Sequence, residues 1–186
     1  MSKIIIIGGG AAGMMAAIAA ADQGRQVTLL EKNEKLGKKV FITGKGRCNI
    51  TNDSDVENLL QHTIRNPRFL YSAFYTFDSS RMMEFLESEG LRIKTERGNR
   101  VFPLSDHSSD VIKTLEKAMK KRGVTIRLHT KVLEILVQDG RCCGVIVQKT
   151  GGGTKETILA DAVIAATGGV SYPSTGSTGD GLRFAK

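Results

Sequence analysis

Residues 4–21 read IIIIGGGAAGMMAAIAAA, an uncharged run in which strand-forming isoleucine gives way, across three glycines, to helix-forming alanine. A run of this length and apolarity can be mistaken for a membrane span or a signal peptide. Three consecutive glycines near its start weaken any spanning helix. The switch of residue type instead predicts a buried strand over 3–7, a glycine turn, and a helix over 11–23 that Gly24 ends. A second strand, QVTLL, follows over 26–30. Strand, helix and strand make a parallel, right-handed βαβ unit in a non-membrane protein.

The turn carries chemistry. Gly8-Gly9-Gly10-Ala11-Ala12-Gly13 fits G-x-G-x-x-G, directly after a strand and opening a helix. Gly8 permits the tight turn, Gly10 lets a pyrophosphate approach the backbone, and Gly13 lets helix and strand pack closely. The N–H groups of Ala11, Ala12 and Gly13 open a helix whose N-terminus carries positive potential. Glu31 closes the second strand, where a carboxylate accepts hydrogen bonds from ribose hydroxyls and repels a 2′-phosphate. FAD or NAD is therefore favoured over NADP. Since Glu31 is expected to face ligand, its loss is expected to spare the fold. The alternative is a glycine turn made only for packing, with a surface Glu31.

The remainder departs from a plain nucleotide-binding repeat. A long loop is expected over 31–52, then helices over 54–64, 68–76 and 79–89, the last capped by Asp78 and stopped by Gly90. LRIKTERGNRVFP predicts two short strands around Gly98-Asn99. An amphipathic helix over 108–122 places Val111, Ile112, Leu115, Ala118 and Met119 on one face. From Val124, VTIRLH, KVLEILVQ, CCGVIVQK and ETILA predict a β-meander, and DAVIAAT a further buried strand. A Gly/Ser/Thr-rich loop then leads to a helix beginning near Asp180.

Composition narrows the partners. The chain has 186 residues, 40% hydrophobic, enough for one core with an appendage. Its 27 Lys and Arg against 19 Asp and Glu give a net charge of +8. These cations are spread along the chain without a basic stripe interleaved with aromatics, so a solvated surface and an anionic cofactor explain them better than nucleic acid does. Cys48, Cys142 and Cys143 form no disulfide framework and fit a reducing, cytoplasmic setting. His62, His107 and His129 lie far apart in sequence, so no metal is expected.

FITGKGRCNITN, residues 41–52, is not a Walker A loop, because Gly46 stands where Ser or Thr must bind Mg²⁺. Read from its residues alone, it either reaches the same dinucleotide or is a solvated basic turn.

Five stretches, IIIIGGGAAGMMAA, LLEKNEKLGKK, ITGKGRCNITN, NRVFP and ATGGVSYPSTGSTGDG, together resemble the YhiN/BaiN-like family of FAD-dependent oxidoreductases, two-dinucleotide-binding-domain flavoproteins of the glutathione reductase type. The resemblance covers essentially the whole chain. It implies an α/β fold: a Rossmann-like FAD-binding domain over 1–186 with a central parallel sheet, a β-meander and an inserted helical segment. It implies hydride transfer through flavin N5, with NAD(P)H as a candidate reductant and an activated double bond as a candidate acceptor. The small-molecule substrate is not named by it. An NAD-dependent dehydrogenase domain, or a nucleotide-binding module without turnover, are the alternatives.

By the same resemblance, Thr167, Gly168 and Gly169 approach the flavin, Val132 presents its backbone to adenine, and Lys32 lies beside the adenosine ribose. The 41–52 loop lies against pyrophosphate and flavin. There Gly46 is a candidate cofactor contact, Arg47 offers donors to phosphate or a flavin carbonyl and Asn49 donates and accepts near the ring, while Lys38 and Lys39, just before the loop, neutralise phosphate charge. Cys48 is either a packing residue beside the flavin or a thiol made acidic by Lys45 and Arg47; packing is favoured, since no second cysteine stands near in sequence. Tyr172 and His107 are read as structural, and no catalytic residue is assigned. The family's members run well beyond this length, so these residues are expected to be an N-terminal portion lacking a substrate domain, which binds FAD weakly when isolated.

Overall fold

The computed structural model describes residues 1–185. In chain order the elements are β1 (Lys3–Ile7), α1 (Ala11–Asp22), β2 (Gln26–Leu30), α2 (Lys38–Ile42), β3 (Thr51–Asn52), α3 (Val56–Gln61), α4 (Pro67–Thr76), α5 (Ser79–Ser88), β4 (Ile93–Glu96), β5 (Arg100–Pro103), α6 (Ser108–Lys121), β6 (Thr125–Arg127), β7 (Thr130–Gln138), β8 (Arg141–Lys149), β9 (Lys155–Leu159), β10 (Ala162–Ala165) and α7 (Asp180–Phe184). They fall into two compact units, Met1–Val40 with Leu115–Lys186, and Phe41–Thr114.

The first unit is built on a parallel sheet in the order β10-β1-β2-β6. Ile4 to Ile7 of β1 pair with Val27 to Leu30 on one side and with Ala162 to Ala165 on the other. A central parallel strand is covered on both faces, which is why β1 is isoleucine without alternation. Met14, Ala17 and Ile18 of α1 are buried, and the small alanines let the helix lie close. The β7-β8-β9 meander is antiparallel, and its Val132, Val145 and Val147, with Ala160 just after β9, share a core with Ile5, Ile7 and Leu30 of the sheet. Each fully buried aliphatic side chain contributes roughly 1.5–3 kcal/mol.

Three expectations are corrected here. Residues 124–129 do not start the meander: β6 pairs in parallel with β2 through Thr28↔Thr125 to Leu30↔Arg127. Alternation within TIR is the same whichever neighbour it finds, so its pattern does not choose. Second, β10 is an edge strand rather than a buried one, with Ile164 39% exposed. Third, the 31–52 loop contains α2 and a 3₁₀ turn over Thr43–Gly46. Elements of four or five residues are too short to show a period.

The second unit joins α3, α4 and α5 to an antiparallel sheet in the order β3-β5-β4. Asp78 caps α5 by accepting from the Arg81 amide at 2.9 Å, as the sequence predicts, and Asp55 caps α3 from Asn58. Gly98 and Asn99, both at positive φ, turn β4 into β5. The division between the units falls within α6, whose Val111, Leu115, Ala118 and Met119 are buried as its periodicity predicts.

Candidate dinucleotide site

The glycine turn sits between the C-terminal end of β1 and α1. Gly8 has φ +107°, and a Cβ there would stand 2.5 Å from the carbonyl oxygen of Ala166. A Cβ on Gly13 would overlap the carbonyl oxygen of Gly8. These two glycines are therefore required by the chain's own backbone. Gly10 differs: a Cβ there meets nothing within 4 Å. Gly10 is also the N-cap of α1, and no side chain among the described residues caps the helix. Ala11 and Ala12 are exposed at its first turn. An open space facing amides at a helix N-terminus suits an anion.

Glu31 follows β2 and is 7% exposed. Its Oε2 accepts from the Gly9 amide at 2.6 Å, and its Oε1 from the Asn33 amide at 2.8 Å and the Asn33 side chain at 2.7 Å. The carboxylate is thus part of the turn's own hydrogen bonding, and the expectation that its loss spares the fold is corrected. Sequence reasoning missed Asn33. The available signal was an Asn opening a loop two residues after the acid, a position where its amide turns back on local partners.

Lys32 is engaged within the chain. Its Nζ donates to Thr178 Oγ1 and to Asp180 Oδ2, each at 2.7 Å. Burial pulls the Asp180 carboxyl up, but Lys32 and Arg183 outweigh it and leave the group below its ordinary range. Lys38 reaches Glu34 at 3.1 Å and Asn33 Oδ1 at 3.5 Å, and Lys39 reaches Ser171 at 3.5 Å.

The loop after β10 runs beside the fingerprint. The Ala166 amide donates to Ile7 O at 2.9 Å, which brings Thr167 beside Gly8. Gly168 has φ +71°, and a Cβ there would crowd Ser177 Oγ at 2.8 Å, whereas Gly169 borders open space. Tyr172 is 65% exposed. Val132 is 5% exposed and its side chain lies in the core. Its strand β7 is an edge of the meander, and the neighbouring Leu133 carbonyl accepts from Arg183 at 2.8 Å. Together the first unit assembles Gly8, Gly10, Ala11, Ala12, Gly13, Glu31 and Thr167 around one turn.

Gly46, Arg47, Cys48 and Asn49 belong to the second unit. Gly46 has φ +86° with open space beyond it, and Asn49 is exposed. Arg47 is engaged locally. Its Nη2 donates to Glu96 at 2.5 Å and to Asp106 at 2.6 Å, its Nε to Asp106 at 2.8 Å, and its guanidinium lies 4.1 Å from the centre of the Phe102 ring. Lys94 completes the cluster at 2.7 Å from Asp106. Glu96 is held below its ordinary range mainly by Arg47, and Asp106 mainly by Lys94 and then Arg47. Burial pushes the Cys48 thiol up to about 11, which favours packing over an acidic thiol. His107 is exposed. Among the described residues no group of three or more His, Cys, Asp or Glu stands placed to hold a metal, and no helix is long and apolar enough to cross a membrane.

Comparison with known proteins adds to this geometry. The family model for the HI0933-like protein Rossmann domain matches residues 2–186. A 3-dehydro-bile acid delta(4,6)-reductase of Clostridium scindens is 37% identical, over 100% of this chain and 44% of its own length. A ribosomal RNA dihydrouridine synthase of Escherichia coli is 29% identical, over 98% of this chain and 43% of its own. The chain thus spans less than half the length of these curated relatives. An open flavocytochrome c3 fumarate reductase has the same fold, with a TM-score of 0.74 at 23% identity over 99% of this chain and 40% of that one.

Proposed function

The chain belongs to the HI0933-like Rossmann-domain family, and from that membership we propose that it forms the dinucleotide-binding part of an FAD-dependent oxidoreductase that saturates a carbon–carbon double bond conjugated to a carbonyl. The family resemblance read from the five motifs agrees with this membership, and so does the Rossmann-like α/β fold. The observation that carries the cofactor reading is the uncapped N-terminus of α1 with open space before Gly10, beside a buried acid at the end of β2. Those residues fit a dinucleotide.

The amides of Ala11, Ala12 and Gly13 hold the pyrophosphate, and Glu31 accepts from the adenosine ribose. Lys32, tied to Asp180 and Thr178, acts on the loop that carries Thr167 to Gly169 rather than on the ribose. That loop borders the flavin end. Arg47 positions the 41–52 loop through Glu96 and Asp106. Bound FAD supplies hydride transfer through its N5, with NAD(P)H as the reductant.

The relatives support the class of acceptor. One is named as a delta(4,6)-reductase of a 3-dehydro-bile acid and the other as a dihydrouridine synthase, and reduction of an activated double bond accounts for both names. The second relative keeps RNA among the substrates to be tried, against the expectation of no nucleic-acid partner. Three free cysteines accord with a reducing, cytoplasmic setting.

The test is purification followed by a visible spectrum and titration with FAD and NAD. Flavin absorbance, or saturable FAD binding, is expected. NAD binding without FAD binding would favour the dehydrogenase alternative instead. Oxidation of NAD(P)H, assayed with a steroid enone and with uridine-containing RNA, then separates the substrate classes.

A further inference from the structure

We infer that Asn33 sets how the site reads a ribose, by leaving Glu31 a single acceptor position for one hydroxyl. The inference rests on the dinucleotide reading above. An ionised carboxylate has about four acceptor positions, two on each oxygen. Among the described residues, Oε1 of Glu31 accepts from both the Asn33 amide at 2.8 Å and Asn33 Nδ2 at 2.7 Å, and is filled. Oε2 accepts from the Gly9 amide at 2.6 Å and keeps one position.

The orientation of the Asn33 amide follows from what surrounds it. Its Oδ1 faces the Lys38 ammonium at 3.5 Å, while Nδ2 faces the Glu31 carboxylate and the Thr175 carbonyl at 3.2 Å. The reverse orientation would set an oxygen against a carboxylate and a carbonyl. The side chain is also confined, since a Cβ on Gly176 would come within 2.6 Å of Nδ2. Asn33 therefore links the acid of the ribose site to the loop after β10 and holds Oε1 away from ligand. It is a specificity-determining residue that acts through Glu31.

The experiment compares ADP, 2′-deoxy-ADP and 3′-deoxy-ADP by calorimetric titration. With the native chain, removal of one hydroxyl should weaken binding roughly ten-fold or more, as for a hydrogen bond to a charged group. Removal of the other should change it by less than about two-fold. In Asn33→Ala the main-chain amide still occupies one position of Oε1 while the position held by Nδ2 is freed, and the hydroxyl that was silent should begin to matter. Comparable losses from both deoxy nucleotides in the native chain would overturn the inference, and that arm needs no variant to fold. An equal weakening of all three ligands in Asn33→Ala, with a lowered melting temperature, would also overturn it, since it marks a merely structural side chain. Failure of the native chain to bind any of the three would count against the dinucleotide reading itself.

Discussion

The amide of Gly9 donates to the carboxylate of Glu31 at 2.6 Å, so the acid expected to serve a ligand also holds the turn that would cradle it. Glu31→Ala should therefore lower stability as well as affinity. The buried Gly9 amide loses its acceptor, which costs about 1–3 kcal/mol, and FAD affinity should fall by about 1.5–3 kcal/mol. Chemical denaturation of the apo chain measures the first and titration the second. Unchanged stability would contradict the hydrogen bonding described here.

Gly10 and Gly13 should respond in opposite ways. Gly10→Val puts its Cβ in open space, so the fold should survive with a loss of about 1 kcal/mol from replacing the N-cap glycine, while dinucleotide binding is lost. Gly13→Ala sets a Cβ against the carbonyl of Gly8, where backbone and not a side chain must yield, so the folded yield itself should fall. Circular dichroism beside an FAD titration distinguishes the two.

Cys48 should be the slowest of the three cysteines to alkylate. It is 5% exposed and its thiol is raised from an ordinary 9.0 to about 11 by burial, whereas Cys142 and Cys143 are half-buried. Peptide mapping after brief iodoacetamide treatment at neutral pH checks the order. A raised thiol binds its proton more tightly folded than unfolded. Its contribution to stability is thus complete below about 9 and is lost as pH rises toward about 11. Cys48→Ala should flatten that alkaline limb.

Removal of the Arg47 guanidinium should raise the carboxyl titrations of Glu96 and Asp106, because Arg47 is the largest influence on the first and the second largest on the other. Both groups are depressed in the fold. Their contribution is present above the ordinary carboxylate range and disappears as pH falls through the depressed values. Side-chain carboxyl NMR of Arg47→Ala shows the change. Arg47→Lys should restore it only in part, since one ammonium cannot reproduce a fork reaching two carboxylates.

The β1-α1-β2 unit was legible because its signals are local: an isoleucine run, a glycine motif, an acid at a fixed distance. Gly8, Gly10, Gly13 and Glu31 follow from the same signals. The partner of Arg47 was not legible, because Glu96 and Asp106 lie 49 and 59 residues away and are joined to it by tertiary folding. The ion pair of Lys32 was not legible for the same reason, its partner Asp180 standing 148 residues on. The placement of β6 beside β2 escaped the pattern because three alternating residues carry no record of which sheet receives them.

The glycines of the fingerprint are held in place by different constraints, and over long divergence this leaves different traces. Gly8 and Gly13 are fixed by contacts the polypeptide makes with itself, so they should survive in any descendant that keeps the fold. Gly10 faces space that belongs to no part of the chain. A lineage that abandoned its nucleotide would be free to drift there first, and a larger residue at that one position would mark the loss before any other part of the motif eroded.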